Sequence, residues 1–356
     1  MSAPLRILIA STPVGPLGSG AGGGVELTLS NLAAGLRGLG HGVEVVAPAG
    51  SVLSGALVHG IPGRLQPQMQ TLGRAAEAPL VADAVLAGMW HWVGEQQGRF
   101  DAVINMAYDA LPFELGPTLS IPVAHWVSMG SLNVAMDRLI TAAPAGTVAV
   151  HSRAQARTFG PAGEGFCVLG NGFDMGQYAF SPGHDGVLGF AGRIAPEKGL
   201  EDALAIAART GKPLKAWGLM QDAAYWQAAC ADAPRAQVSY EGFLPTAAFA
   251  QGLGRCQGLL MTPKWEEAFG NVAAEALACG VPVVAYARGG PAEITLDGVT
   301  GFVVPADDIN GAAAAVGRLD AIDRRACRSR AEAEYGAPAL ARRVDAWLRR
   351  VLAGRP

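Results

Sequence analysis

The chain has 356 residues, with 27 lysines and arginines against 30 aspartates and glutamates, for a formal net charge of −3. Half the residues are hydrophobic and 16% are charged, which is ample for two packed cores and unlike a disordered chain. The near-neutral balance excludes a general attraction to nucleic acid or to an anionic membrane, so any phosphate-binding site has to be built from a few placed cations.

The length predicts two domains. The opening MSAPLRILIAS has an apolar run too short for a signal-peptide core, and no stretch approaches the ~18 apolar residues of a membrane span. A cytoplasmic protein without stable membrane insertion is expected. Cys167, Cys230, Cys256, Cys279 and Cys327 are odd in number and contain no CxxC pair, which predicts scattered thiols in a reducing compartment and neither a disulfide framework nor a zinc site.

Short β-type runs alternate with helical stretches from end to end, the pattern of parallel sheets with crossover helices. Leu5–Ala10, Val43–Ala47, Ala102–Asn105, Val123–Val127 and Val148–Val150 read as parallel strands, apolar throughout because both faces are covered. Val25, Leu29, Leu32, Leu36 and Leu39 recur at helical spacing and predict a first helix ending at Gly40. After the Gly/Pro/Asp-rich stretch 170–186, a second series begins: Val187–Ala191, Leu214–Trp217, Val238–Tyr240, Gly258–Met261 and Val281–Ala285. The tail from Ala337 is helical and basic.

Gly18, Gly20 and Gly23 satisfy G-x-G-x-x-G, with Glu44 placed to hold a ribose, as in a nicotinamide-dependent oxidoreductase. That fingerprint turns directly from strand to helix, whereas here the strand ends near Ser11 and the loop runs through two prolines. The amides of Gly22, Gly23 and Gly24 at a helix start can instead meet a phosphate or sugar oxygen, or form a purely structural turn.

Arg193 and Lys198, in FAGRIAPEKGL, follow the first strand of the second series at its carboxyl end, where two cations can neutralise a diphosphate. Either one can equally cap the turn or pair with a neighbouring carboxylate. In KWEEAFGNVAAEALACGVPVVAYARGGPAEI, Glu267 and Glu275 form E-x7-E around a strand-to-helix turn at Phe269–Gly270–Asn271. A loop carboxylate at Glu267 can accept hydrogen bonds from sugar hydroxyls, and Glu275 one turn into an apolar helix can hold a ribose diol.

These segments resemble the family-4 retaining glycosyltransferases of GT-B fold over almost the whole chain. The matches run in order: GGGVE (Gly22–Glu26), GHGVEVVAP, NGFD (Asn171–Asp174), GRIAPEKGL, YEGFLP (Tyr240–Pro245), the E-x7-E segment, and GGPAEI followed by DGVTGFVVP. The E-x7-E with GR…EKG upstream is the specific part. The resemblance implies an α/β fold of two doubly wound Rossmann-like domains facing a cleft: 1–172 for the acceptor, 173–336 for the nucleotide-sugar donor, and 337–356 packing back on the first. It implies Arg193 and Lys198 on the diphosphate, Glu267 on the transferred sugar and Glu275 on the ribose. Phe269, Gly270 and Asn271 would supply backbone contacts, Gly23 and Gly24 the glycine-loop contact, and Phe243 in YEGFLP would edge the base.

The family often places a histidine near the end of the strand written here IPVAHWVSMG, against the sugar's primary hydroxyl. Its usual position falls at Ser128, and His125 stands three residues earlier. Either His125 joins Arg193, Lys198 and Glu267 as a catalytic group, or it is a core or acceptor-side residue. No D-x-D pair occurs, so no metal is expected and no cofactor beyond the nucleotide-sugar co-substrate. Tyr108, Asp109, Phe113, His125, Trp126 and Met129, near predicted strand ends, are the candidate acceptor groups.

The opening STPVGPLGSGAGGGVELTLSNLA is similar to cyanobacterial UDP-glucose:tetrahydrobiopterin glucosyltransferases, which implies transfer of glucose from UDP-glucose to a small pterin. Rival readings are the same transfer to a lipid or cell-envelope glycan, a sugar-nucleotide epimerase, a nicotinamide oxidoreductase, and a non-catalytic nucleotide-binding regulator.

Overall fold

The computed structural model describes residues 3–19, 23–67, 73–76 and 80–354. It divides into two compact units, one of residues 1–172 with 337–356 and the other of residues 173–336. In the first unit the described elements run β1 (Arg6–Ala10), α1 (Gly24–Gly38), β2 (Gly42–Pro48), β3 (Leu57–Ile61), α2 (Val85–Gln96), β4 (Ala102–Asn105), α3 (Ala110–Leu115), β5 (Val123–Trp126), α4 (Val134–Ala142), β6 (Val148–Val150), α5 (Arg153–Arg157) and β7 (Cys167–Val168). The second unit follows with β8 (Leu188–Ala191), α6 (Leu200–Thr210), β9 (Leu214–Trp217), α7 (Ala223–Asp232), β10 (Val238–Gly242), α8 (Thr246–Gly254), β11 (Gly258–Met261), α9 (Asn271–Ala278), β12 (Val283–Tyr286), α10 (Pro291–Ile294), β13 (Gly301–Val304), α11 (Ile309–Val316) and α12 (Arg324–Tyr335). The chain then returns to the first unit as α13 (Ala337–Ala353).

Each unit is a parallel sheet, ordered β3-β2-β1-β4-β5-β6-β7 in the first and β10-β9-β8-β11-β12-β13 in the second. In the first, side-chain alternation along β1 explains why helices cover both faces. Ile7 and Ile9 pack with Leu29, Leu32 and Leu36 of α1 and with Leu340, Val344 and Trp347 of α13. Leu8 and Ala10 pack on the other face with Val85, Met89, Trp90 and Val93 of α2.

Every predicted strand is present to within two residues at its ends. The strands not anticipated are β3, β7 and β13, each the outermost of its sheet. β3 and β7 have no fully buried residue, so they lack the continuous apolar run by which a central parallel strand is recognised.

Candidate donor and acceptor sites

Open parallel sheets bind ligands beyond the carboxyl ends of their strands, where the strand order reverses. In the second unit that point lies between β8 and β11. From β8 the chain passes Arg193 and forms a single helical turn at Pro196–Lys198; from β11 it passes Glu267 and re-enters a helix at Asn271.

The two loops meet. Lys198 Nζ donates to Glu267 Oε2, and the Trp265 indole Nε1 donates to the same oxygen at 3.0 Å. The Lys198 ammonium also lies 5.0 Å from the Trp265 ring centre, within cation–π range. Burial raises the Glu267 carboxyl, but the charge and hydrogen bond of Lys198 and the bond from Trp265 outweigh it and hold the group below its ordinary value. Glu267 is therefore an ionised, half-buried carboxylate at neutral pH. Arg193 is oriented by Glu197, with Nη2 to Oε1 at 2.7 Å, and by a bond from Nη1 to Gln221 Oε1.

Gly199 permits the close approach. Its φ is 69°, and a Cβ there would collide with the Thr262 carbonyl oxygen, while Thr262 Oγ1 donates to the Gly199 carbonyl at 2.8 Å. Gly199→Ala is expected to cost about 3 kcal/mol or more, since left-handed strain adds to backbone displacement. An unchanged Tm by circular dichroism would show that the loops do not pack this way.

The Glu267 loop is held from behind. Gly290 N–H donates to the Glu267 carbonyl at 2.7 Å, Arg288 donates to the Pro263 carbonyl at 2.7 Å, and Lys264 bridges Asp202 at 2.6 Å and Asp307 at 3.0 Å. Gly270 turns the chain into α9 at φ 88°, with Phe269 buried edge-on to Tyr335 at 5.7 Å. Asn271 opens the helix.

Glu275, one turn on, is 7% exposed and accepts a 2.8 Å bond from the Tyr178 hydroxyl. Burial pushes its carboxyl up to about 7, with the Tyr178 bond opposing in part. Two carboxylates eight residues apart thus differ in charge state, one held ionised by Lys198 and the other half-protonated near neutrality. Phe243 lies on the loop after β10 and is 75% exposed.

Trp265, Tyr178 and Gln221 were not singled out in the sequence. Trp265 stands inside the motif and could have been noticed as an indole two residues before a carboxylate. Tyr178 and Gln221 are brought in by the fold from distant segments, and no local spacing marks them.

In the first unit the strand order reverses between β1 and β4, placing the loop after Ala10 and the segment Met106–Asp109 at the corresponding point. Asp109 is 6% exposed; burial pushes its carboxyl up to about 7 against the effect of a hydrogen bond with Gln66. Tyr108 is buried, and its hydroxyl donates to the Gly130 carbonyl at 3.4 Å. Gly23 and Gly24 head α1, and Gly18 N–H donates to Glu26 Oε2 at 2.8 Å, which ties the loop to the helix. Gly20 and Gly22 lie outside the described residues.

Several expectations change here. Glu44, the ribose ligand of the dinucleotide reading, is occupied by His59 Nε2 at 2.6 Å and Arg99 Nη2 at 3.0 Å. Trp126 is 1% exposed and packs in the core against His151 at 5.2 Å, so its indole is not a wall for an acceptor. His125 points to the opposite face of the sheet from Trp126, as strand alternation requires. It is 3% exposed and stacks on Phe113 at 4.0 Å. Ser128 lies just beyond β5, half-buried.

Two parallel sheets with helices on both faces give the chain the GT-B architecture. Residues 178–333 match the family described as glycosyl transferases group 1. A GDP-mannose-dependent alpha-mannosyltransferase of Mycolicibacterium smegmatis is 28% identical over 344 residues, covering 82% of this chain and 83% of that protein. A D-inositol 3-phosphate glycosyltransferase of the same organism is 44% identical over 96 residues, covering 26% of this chain, and the match spans only 22% of the relative's length. Among solved structures, Anabaena Alr3699/HepE in complex with UDP and glucose superposes with a TM-score of 0.72 at 20% identity, over 97% of this chain and 100% of that one. Among the described residues no helix is long and apolar enough to cross a membrane.

Proposed function

We propose that the second unit binds UDP-glucose and that the enzyme transfers its hexose, with retention at the anomeric carbon, to a small-molecule acceptor of pterin type held by the first unit. The observation that carries the donor assignment is the Lys198–Glu267 pair at the sheet's reversal point, beside the start of α9. As the glycosidic bond to the diphosphate breaks, negative charge grows on the leaving phosphate, and Arg193, Lys198 and the amides around Gly270 stabilise it. Glu267 accepts hydrogen bonds from the hexose hydroxyls, Glu275 from the ribose diol, and Phe243 edges the base. The leaving phosphate takes the acceptor's proton on the same face. These side chains supply the positive charge, and the reading calls on no metal or cofactor.

Asp109 supports the acceptor reading. A buried carboxyl can take paired hydrogen bonds from an amino-pyrimidine edge, with Tyr108 beside it. His125 and Trp126 have no part in this reading. A second reading, GDP-mannose as donor with a lipid or glycan acceptor, is favoured by the mannosyltransferase that aligns along most of the chain.

Thermal stabilisation by UDP, GDP, ADP and NAD separates these. UDP at a hundredfold its Kd is expected to add about 2.7 kcal/mol, with the response lost in Glu275→Ala. Incubation with UDP-glucose and a reduced pterin should then add one hexose to the pterin by mass spectrometry. Response to GDP alone would move the assignment to the mannosyl reading, and response to NAD alone would overturn both.

A further inference from the structure

A tryptophan side chain carries a broad ring face and a single N–H donor with no acceptor. Trp265, half-buried in the loop after β11, uses both features on one ion pair. Its Nε1 donates to Glu267 Oε2 at 3.0 Å. Its ring lies beneath the Lys198 ammonium, with Nζ 5.0 Å from the ring centre, and that ammonium donates to the same Oε2. The face of the indole thus attracts the cation while its edge holds the anion with which the cation pairs.

The two oxygens of Glu267 become unequal as a result. Oε2 has two donors, which fills its lone pairs. Oε1 has no hydrogen-bond partner among the described residues, and it is not sealed off, since the side chain is 14% exposed. The terminal torsion of a glutamate is broad and roughly two-fold, so a carboxylate held by Lys198 alone could turn and exchange its oxygens. The indole N–H removes that freedom. The backbone on either side of Trp265 is fixed separately, by the Arg288 bond to the Pro263 carbonyl and the Gly290 bond to the Glu267 carbonyl, each 2.7 Å. Changing the ring therefore alters the carboxylate without releasing the loop.

We propose that Trp265 is a positioning residue for the hexose of the donor: it turns Glu267 so that Oε1 alone faces the sugar hydroxyls, with Lys198 locked beside it. The assignment rests on the donor reading proposed above. It deepens that reading by placing recognition of the sugar, as distinct from the nucleotide, on one oxygen whose direction a neighbouring indole sets.

The test is Trp265→Phe in the full chain, which keeps an aromatic face for Lys198 and deletes the N–H. Isothermal titration without acceptor should show UDP-glucose binding about tenfold more weakly, the scale of one hydrogen bond to a charged group. UDP, which lacks the hexose, should bind within about twofold of the wild type, the range for a site that is not coupled. In a Glu267→Ala background the same Trp265→Phe change should cost UDP-glucose nothing further, as holds when one residue acts only through another. Unchanged UDP-glucose affinity, equal weakening of UDP and UDP-glucose, or a repeated tenfold cost in the Glu267→Ala background would each overturn the role of Trp265 and leave the donor reading standing. Absence of UDP-glucose binding by the wild type would overturn both.

Discussion

Lys198→Ala is expected to lower kcat/KM by roughly 10²–10³-fold, the usual cost of removing one donor aimed at developing transition-state charge. The loss should fall mainly on kcat, because in the proposed reaction the charge that Lys198 meets grows as the bond to the diphosphate breaks. The same substitution strands Glu267. Burial alone raises that carboxyl, and Lys198 is the largest of the influences that lower it. Without the ammonium, Glu267 should take up a proton closer to neutrality, and activity should fall at the alkaline side through loss of structure as well as charge. Lys198→Ala combined with Glu267→Gln isolates the two effects: the double variant should recover the stability lost by the single one while staying inactive. Recovery of turnover in the double variant, or near-normal kcat in Lys198→Ala, would remove Lys198 from the reaction.

Glu275→Gln is expected to stabilise the protein near pH 8 and to weaken the nucleotide. The sign follows from linkage. Glu275 has a folded value of about 7 against an ordinary 4.5, so the unfolded chain releases this proton first. Its unfavourable contribution is absent below the unfolded value, grows as pH rises between the two, and is complete above the folded one. The difference corresponds to roughly 3 kcal/mol. Glutamine cannot ionise and still accepts from Tyr178, so urea unfolding across this range should lose that share of its pH dependence. Asp109, raised from 3.8 to about 7 in the first unit, adds a slope of the same sign that Asp109→Asn would remove.

Ribose hydroxyls donate best to an ionised carboxylate, so UDP binding at neutral pH should release a proton from Glu275. Titration enthalpies would then vary with the ionisation heat of the buffer. In Glu275→Gln the variation should vanish and affinity should fall about tenfold. Equal proton release in wild type and variant would show that Glu275 does not touch the nucleotide.

The doubly wound architecture was legible because central parallel strands are covered on both faces and so write themselves as short apolar runs such as RILIA and GLLM. The residues of the proposed donor site stand in the sequence as types in order: cations after one strand, and a carboxylate pair around a turn after another. Outer strands β3 and β7 were not, because a half-covered strand carries no such run.

What only the tertiary structure decided is which groups meet. Parallel order puts β8 next to β11, so Lys198 reaches Glu267 across 69 positions, and Tyr178 reaches Glu275 across 97. Those contacts, with burial, split two chemically identical carboxylates into one ionised and one half-protonated group. Strand alternation likewise sent Trp126 into the core and His125 to the other face, a choice that turns on pairing register and on which helices cover the sheet. Residue type and spacing were enough to propose a nucleotide-sugar chemistry; charge state and orientation depend on solvent exclusion and on long-range neighbours, which exist only once the chain has folded.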